Sequence, residues 1–123
     1  MRLDTIQLIV QSMQRFPEHR ELQFRACFAL INLSIPNASR GIIREVGGIE
    51  CIVAAMSSFH DFAMLQRCAC NVLVSLAWSS RTNRERIANT EALRLVRQAV
   101  HNFPNFQDIV EIGATFMALM EQI

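Results

Sequence analysis

The sequence contains no lysine: all twelve basic residues are arginine, set against eleven Asp and Glu for a formal net charge of +1. A near-neutral chain exerts no long-range pull on nucleic acid, an anionic membrane surface or an acidic substrate. Arginine in place of lysine favours planar, bidentate contacts with carboxylates over diffuse attraction. No nucleic acid is therefore expected as a partner. Nor is there an apolar run approaching the about 20 residues that cross a bilayer. Asp4 and Gln7 interrupt the opening stretch where a secretory signal would be unbroken. We expect no membrane segment and a cytoplasmic chain, with a nuclear location as the alternative.

The raw materials of catalysis and metal binding are equally sparse. His19, His60 and His101 lie far apart, without Cys, Asp or Glu at ligand spacing, and read as surface histidines. Cys27, Cys51, Cys68 and Cys70 suggest neither a disulfide framework nor a metal site. On a helix, Cys68 and Cys70 point about 200° apart and cannot converge on one ion. The single glycine pair, Gly47-Gly48, lacks the Lys and Ser/Thr of a phosphate-binding loop, and no nucleophile elbow or paired carboxylates are found. The triplets Asn32-Leu33-Ser34 and Asn37-Ala38-Ser39 match a glycosylation pattern but read as chance in a chain without a secretory signal. No enzyme, metal or cofactor is expected.

What the chain does have is a core and a period. Hydrophobic residues make up 51% and charged residues 19%, enough apolar surface to fold and too little charge for disorder. Compared with itself at an offset of 43, the chain sets Ile6 on Ile49, Ile9 on Ile52, Val10 on Val53 and Met13 on Met56. The agreement continues with Phe16 on Phe59, Leu22 on Leu65, Gln23 on Gln66, Cys27 on Cys70 and Leu30 on Leu73. A third copy begins 44 residues after the second, with Val96 for Ile52, Val100 for Met56 and Phe103 for Phe59. It then drifts by one residue, so that Ala114 stands for Ala69 and Phe116 for Asn71, while Arg97 replaces Val53. Copies of approximately 1–36, 37–79 and 80–123 form one domain, the last copy degenerate as terminal repeats often are.

Within each copy the spacing is helical. Ile6, Ile9, Val10 and Met13 form one stripe, and Leu22, Ala26, Ala29, Leu30 and Leu33 a second. The loops between them, around Phe16-Pro17, Phe59-His60 and Phe103-Pro104, each carry one phenylalanine that reads as a plug between helices. After the second helix, Arg40 to Glu45 can form a short helix, and Gly47-Gly48 then reverses the chain, a turn needing a backbone free to take positive φ. The third copy has Glu91-Ala92 there, so Asn89 or a wider loop must make its turn.

A short helix, a glycine turn and two longer helices in about 43 residues resemble the armadillo repeat, most completely over Asn37 to Ala77 with Gly47-Gly48-Ile49, Leu65-Gln66 and Leu76-Ala77. HEAT repeats, the nearest alternative, usually lack the short helix and the glycine turn. The resemblance covers residues 3 to 120 as about two and two-thirds repeats. It implies an all-α, right-handed α-solenoid whose concave groove is lined by the third helix of each repeat. It also implies a non-catalytic scaffold or adaptor that binds a protein or extended peptide. Of the Trp and Asn ladder that armadillo import receptors use, at Phe28 and Asn32, then Asn71 and Ser75, only Asn32 matches.

If Leu22, Ala26, Leu30 and Leu33 face the core, the opposite stripe carries Phe24, Arg25, Phe28 and Asn32, followed in the next copy by Arg67, Asn71, Ser75 and Trp78, and in the last by Ile112, Phe116 and Met120. Aromatic and arginine residues are enriched at interfaces. For Phe24, Phe28, Phe116 and Trp78, burial between helices is the competing reading, and for Arg25 and Arg67 simple solvation. Two further readings of function stand beside the groove. Exposed apolar ends carrying Ile6, Ile9 and Val10 could make the chain a homo-oligomer, or the chain could be part of a longer armadillo protein.

Overall fold

A computed structural model describes residues 3–122; Met1, Arg2 and Ile123, at the outer limits of the expected first and last copies, lie outside the described residues. Among the described residues there are eight helices and no strand: α1 (Leu3–Arg15), α2 (Arg20–Leu33), α3 (Asn37–Glu45), α4 (Gly48–Ser58), α5 (Ala63–Ala77), α6 (Arg81–Ala88), α7 (Ala92–Asn102) and α8 (Gln107–Met120). They stack as an α-solenoid in which α5 lies between α2 and α8. One contiguous apolar core runs through it, from Ile6 on α1 to Met120 on α8.

The helix starts correct the reading of the third copy. Both α4 to α7 (48 to 92) and α5 to α8 (63 to 107) keep the same offset of 44, so the register never drifts. Gly113, not Ala114, occupies the position of Ala69, and Phe116 occupies that of Val72, not Asn71. Phe116 is therefore fully buried, like Val72. The stripes are rotated as well. On α2 the buried residues are Gln23, Ala26, Cys27 and Leu30, with Leu22, Ala29 and Leu33 only half-buried. On α1, Ile6 and Val10 are buried with Met13 at i, i+4 and i+7, because α1 packs on α2, α3 and α4, so these two residues do not form an exposed end. Leu8, 63% exposed, is the bare apolar residue there.

The corners between helices are held by amides rather than rings. A helix leaves its last carbonyls without intrahelical partners. Buried Gln23 donates through Nε2 to the Met13 and Phe16 carbonyls at 3.1 and 2.9 Å. Gln66 repeats this on Met56 and Phe59 at 3.1 and 3.0 Å. The third copy has half-buried Val110 at this position. Phe59 packs on the core, but Phe16 is 47% exposed and is no plug; its carbonyl is the part that is tied down. His19 caps α2, its Nδ1 accepting from the Leu22 amide at 3.2 Å.

Arginines do the same for the third helices. Arg40 donates to the Ser34 and Ile35 carbonyls, each at 2.9 Å, and Arg84, one copy on, donates to the Ala77 carbonyl at 2.9 Å. A cation at a helix C-terminus satisfies the open carbonyls and the dipole together. Fully buried Asn83 donates to the Leu76 carbonyl at 2.8 Å and accepts from Arg44 at 2.7 Å, joining α3, α5 and α6.

Gly47 takes φ +89°, the left-handed turn that glycine permits. At Gly48 a Cβ would lie 2.5 Å from Ile43 Cγ2 and 2.9 Å from the Ile43 carbonyl oxygen, so α4 crosses α3 too closely for any side chain. Ala92 fits the same position because α6 ends one residue earlier relative to α7 than α3 does to α4. The wider turn has Asn89 at φ −84° rather than in the left-handed region, and the Thr90 hydroxyl accepts from the Ala92 amide at 3.1 Å.

Cys27 and Cys70 are fully buried, and burial pushes both thiols up from 9.0 to about 12, with neighbouring Cys68, Cys51 and Cys70 adding to the effect at Cys27.

Replacing Gln66 with Leu keeps the volume but strands two carbonyls, and should lower the unfolding free energy in urea by about 2 kcal/mol or more. Gly41 and Gly48 should respond with opposite signs to alanine. Gly41 is helical with its nearest obstacle 3.6 Å away, so Gly41→Ala should stabilise by up to about 1 kcal/mol. Gly48→Ala should destabilise by about 1–3 kcal/mol through the clash with Ile43. The chain has neither tyrosine nor lysine, so few groups other than its thiols titrate between about 9 and about 12. The folded state keeps Cys27 and Cys70 protonated there while the unfolded chain releases both protons. Stability should therefore be complete below pH about 9 and fall toward about 12, with a slope of roughly 1 kcal/mol per pH unit for each thiol. Urea midpoints across this range would show it, and Cys70→Ala should flatten the slope.

Candidate protein-binding face

The third helices of the copies, α2, α5 and α8, lie side by side and share one face. Its residues follow from the corrected register: Phe24 and Phe28 on α2 correspond to Arg67 and Asn71 on α5 and to Glu111 and Thr115 on α8. The face is aromatic at one end, arginine and amide in the middle, acid and hydroxyl at the other.

A depression of about 260 Å³ opens on this face. Phe28 and Ile31 wall it from α2, Arg67, Cys68 and Asn71 from α5, and Asp108 and Ile112 from α8. Four of the residues expected from sequence, Phe28, Arg67, Asn71 and Ile112, are thus brought together. Phe28 is 57% exposed, an unusual state for a phenylalanine on a helix with a core available. Arg67 Nη1 meets Asp108 Oδ2 at 3.2 Å, an ion pair open enough to water to exchange partners at little cost. Cys68 lies in the wall; burial raises its thiol and the Arg67 guanidinium pulls it partly back.

The remaining expected residues are distributed differently. Phe24 is half-buried, its ring centroid 6.3 Å from Phe28 and 5.4 Å from Phe62, with the Arg20 guanidinium 3.7 Å over the Phe62 ring. It backs Phe28 rather than facing out. Asn32 is exposed one turn along α2. Arg25, 100° round from Phe24, lines the outer flank of α1 and α2 instead and pairs with Glu21 at 3.0 Å. Ser75 is engaged in the scaffold, accepting from Ser34 Oγ at 2.8 Å and donating to the Ser34 carbonyl at 3.2 Å. Trp78, 52% exposed, is no core plug, and it caps α5 outside the depression. Phe116 and Met120 are absent from the face, since the corrected register turns both into the core.

Ile112 was expected on this face and does line the depression, whereas Ile31 and Asp108 were not singled out by sequence reasoning. Asp108 could have been found: it stands one copy on from Met64 and two on from Glu21, and it is the acid that the third copy sets beside Arg67. A larger depression, about 500 Å³, lies between α1 and α4. Its polar groups are already matched, Arg86 to Glu50 at 2.7 Å and the Gln14 amide to the Val46 carbonyl, so we place less functional weight on it than on the face with unpaired aromatic surface. Among the described residues no group of His, Cys, Asp and Glu is placed to hold a metal ion, and no helix is long and apolar enough to cross a membrane.

Searches of curated proteins and of solved structures gave no significant match. A family model described as LRRK2 ARM repeat matches residues 2–121, spanning nearly the whole chain and every helix described above. The armadillo reading of the glycine turn and paired helices is thereby shown, and the chain belongs to the LRRK2 ARM repeat family.

Proposed function

We propose that the chain is a protein-interaction module that holds an extended segment of a partner protein across α2, α5 and α8. Armadillo repeats are in general non-catalytic scaffolds, which supports the coarse part of this reading. The observation that carries the finer part is the depression in which exposed Phe28 stands beside Arg67, Asp108 and Asn71. An aromatic anchor with a few convergent polar groups is the usual make-up of a binding hot spot.

The roles divide by chemistry. Phe28 and Ile31 take an apolar side chain of the partner. The Asn71 amide can both donate to and accept from a peptide bond, which suits an extended backbone whose own groups lack partners. Arg67 and Asp108 hold each other in the free protein and can turn to a carboxylate and a cation of the partner.

Panning a peptide library against the purified chain and measuring the selected peptides by fluorescence polarisation tests this. Phe28→Ala and Arg67→Ala should each weaken binding by about tenfold or more, as loss of over 1 kcal/mol at a hot spot implies. Arg94→Ala, at an exposed position on α7, should leave it unchanged. Selected peptides that bind the Phe28→Ala, Arg67→Ala double variant as tightly as the parent would overturn the reading.

A further inference from the structure

The face shared by α2, α5 and α8 changes character from one side to the other, and one residue on it departs from the pattern of the other helical acids. Among the described side chains, Glu21, Glu45, Glu50, Glu85 and Asp108 each lie within 4.0 Å of an arginine. Glu111, exposed on α8, does not; its carboxylate accepts from a neutral donor, Gln107 Nε2, at 2.9 Å. Helix capping does not account for it. Asp108 occupies the first turn of α8, where the helix dipole favours an acid, while Glu111 lies one turn further in, where that effect has faded.

Glu111 holds the repeat position of Phe24 on α2 and Arg67 on α5, so it lies on the shared face. From Gln107 to Met120, α8 has two acids and no basic residue. The α2 side is the reverse: Phe24 and exposed Phe28 are accompanied by the Arg20 guanidinium over the adjoining Phe62 ring, and Glu21 is already held by Arg25 at 3.0 Å. A cationic group of a partner is therefore drawn to α8 and opposed at α2. Packed helices stand about 8–10 Å apart, so α2 and α8 are about 16–20 Å apart with α5 between them, a span that an extended chain covers in about six residues.

We propose that Glu111 determines which segments the face accepts and how they lie: an apolar side chain seats on Phe28, and a lysine or arginine at the spacing of α2 from α8 seats on Glu111. This rests on the binding face proposed above and names the class of its partner, an extended segment that pairs an apolar anchor with a base. Charges at the rim of an interface act mainly on partner choice and encounter rate, the role that an exposed acid beside an apolar anchor fits. Asp108 lies on the same side, and Arg67 keeps it neutralised until the partner's base arrives.

Peptides panned against the parent chain, sequenced, and measured by fluorescence polarisation on the parent, Glu111→Gln and Glu111→Arg test the proposal. The selected peptides should carry Lys or Arg at that spacing from the apolar anchor. Changing this base to Glu should weaken binding to the parent by about fivefold, the size of an exposed ion pair. Glu111→Gln should remove most of the difference between the two peptides, and Glu111→Arg should reverse it. The preference on the parent should shrink as salt rises from about 50 to about 500 mM. Glu111→Gln adds no charge beside Arg67, so a parent-like circular dichroism melt for it preserves the comparison should Glu111→Arg unfold. Selected peptides without a base, or a base-to-Glu change that costs the same on the parent and on Glu111→Gln, overturn the proposal; sensitivity to Phe28→Ala in those same peptides would leave the binding face itself standing. Peptides indifferent to Phe28→Ala, or the selection of none, overturn the face and this inference together.

Discussion

Everything in this fold depends on the inability of a single repeat to cover its own sides. A layer of two or three helices has apolar residues on both flanks, and only another layer removes them from water. The effect is plainest on α5, where nine of fifteen residues are buried because α2 closes one flank and α8 the other. On α2, which has a neighbour on one flank, four of fourteen are buried. Placement in the stack, rather than local sequence preference, sets how much of each helix is core. The shared face of α2, α5 and α8 is left over from this stacking.

Packing alone does not fix the angles between layers; the backbone carbonyls at helix ends do. Each end that turns inward must find donors, and the first two copies supply them from the same repeat positions. Gln23 and Gln66 serve the α1 and α4 corners, and Arg40 and Arg84 the ends of α2 and α5. With these donors the corners cannot slide, and Phe28, Arg67 and Asn71 meet around one depression rather than fanning apart.

Much of the architecture was legible in the sequence because the period is long and the matched residues are many. The offset of 43 located the helices, and the two glycines located the tightest turn. What failed was phase. A single supposed slip in the third copy placed Phe116 beside Asn71, when it belongs with Val72, and on a helix one residue is 100°, enough to exchange core for surface. Apolar identity likewise marks a helix side without saying which side a neighbour covers, so the sequence points to Ile6 and Val10 as an exposed end although the bare residue is Leu8. The buried polar residues were the hardest to read. Gln23 was seen to repeat as Gln66, but an amide that binds two carbonyls ten and seven residues away looks in sequence like any surface glutamine. Arginine, expected to seek carboxylates, also serves to close helix ends, at Arg40 and Arg84.

The trade of one residue between α6 and the turn after it has a wider consequence. Shortening the helix and lengthening the turn let Ala92 stand where Gly48 is otherwise required, and α7 and α8 still follow α4 and α5 in strict step. The joint between the first and second helix of a repeat therefore behaves as an expansion gap: length changes are absorbed there and do not propagate along the array. A solenoid built this way can vary its outer loops and the span of its repeats over evolutionary time while the spacing of its third helices, and of anything they hold, stays constant.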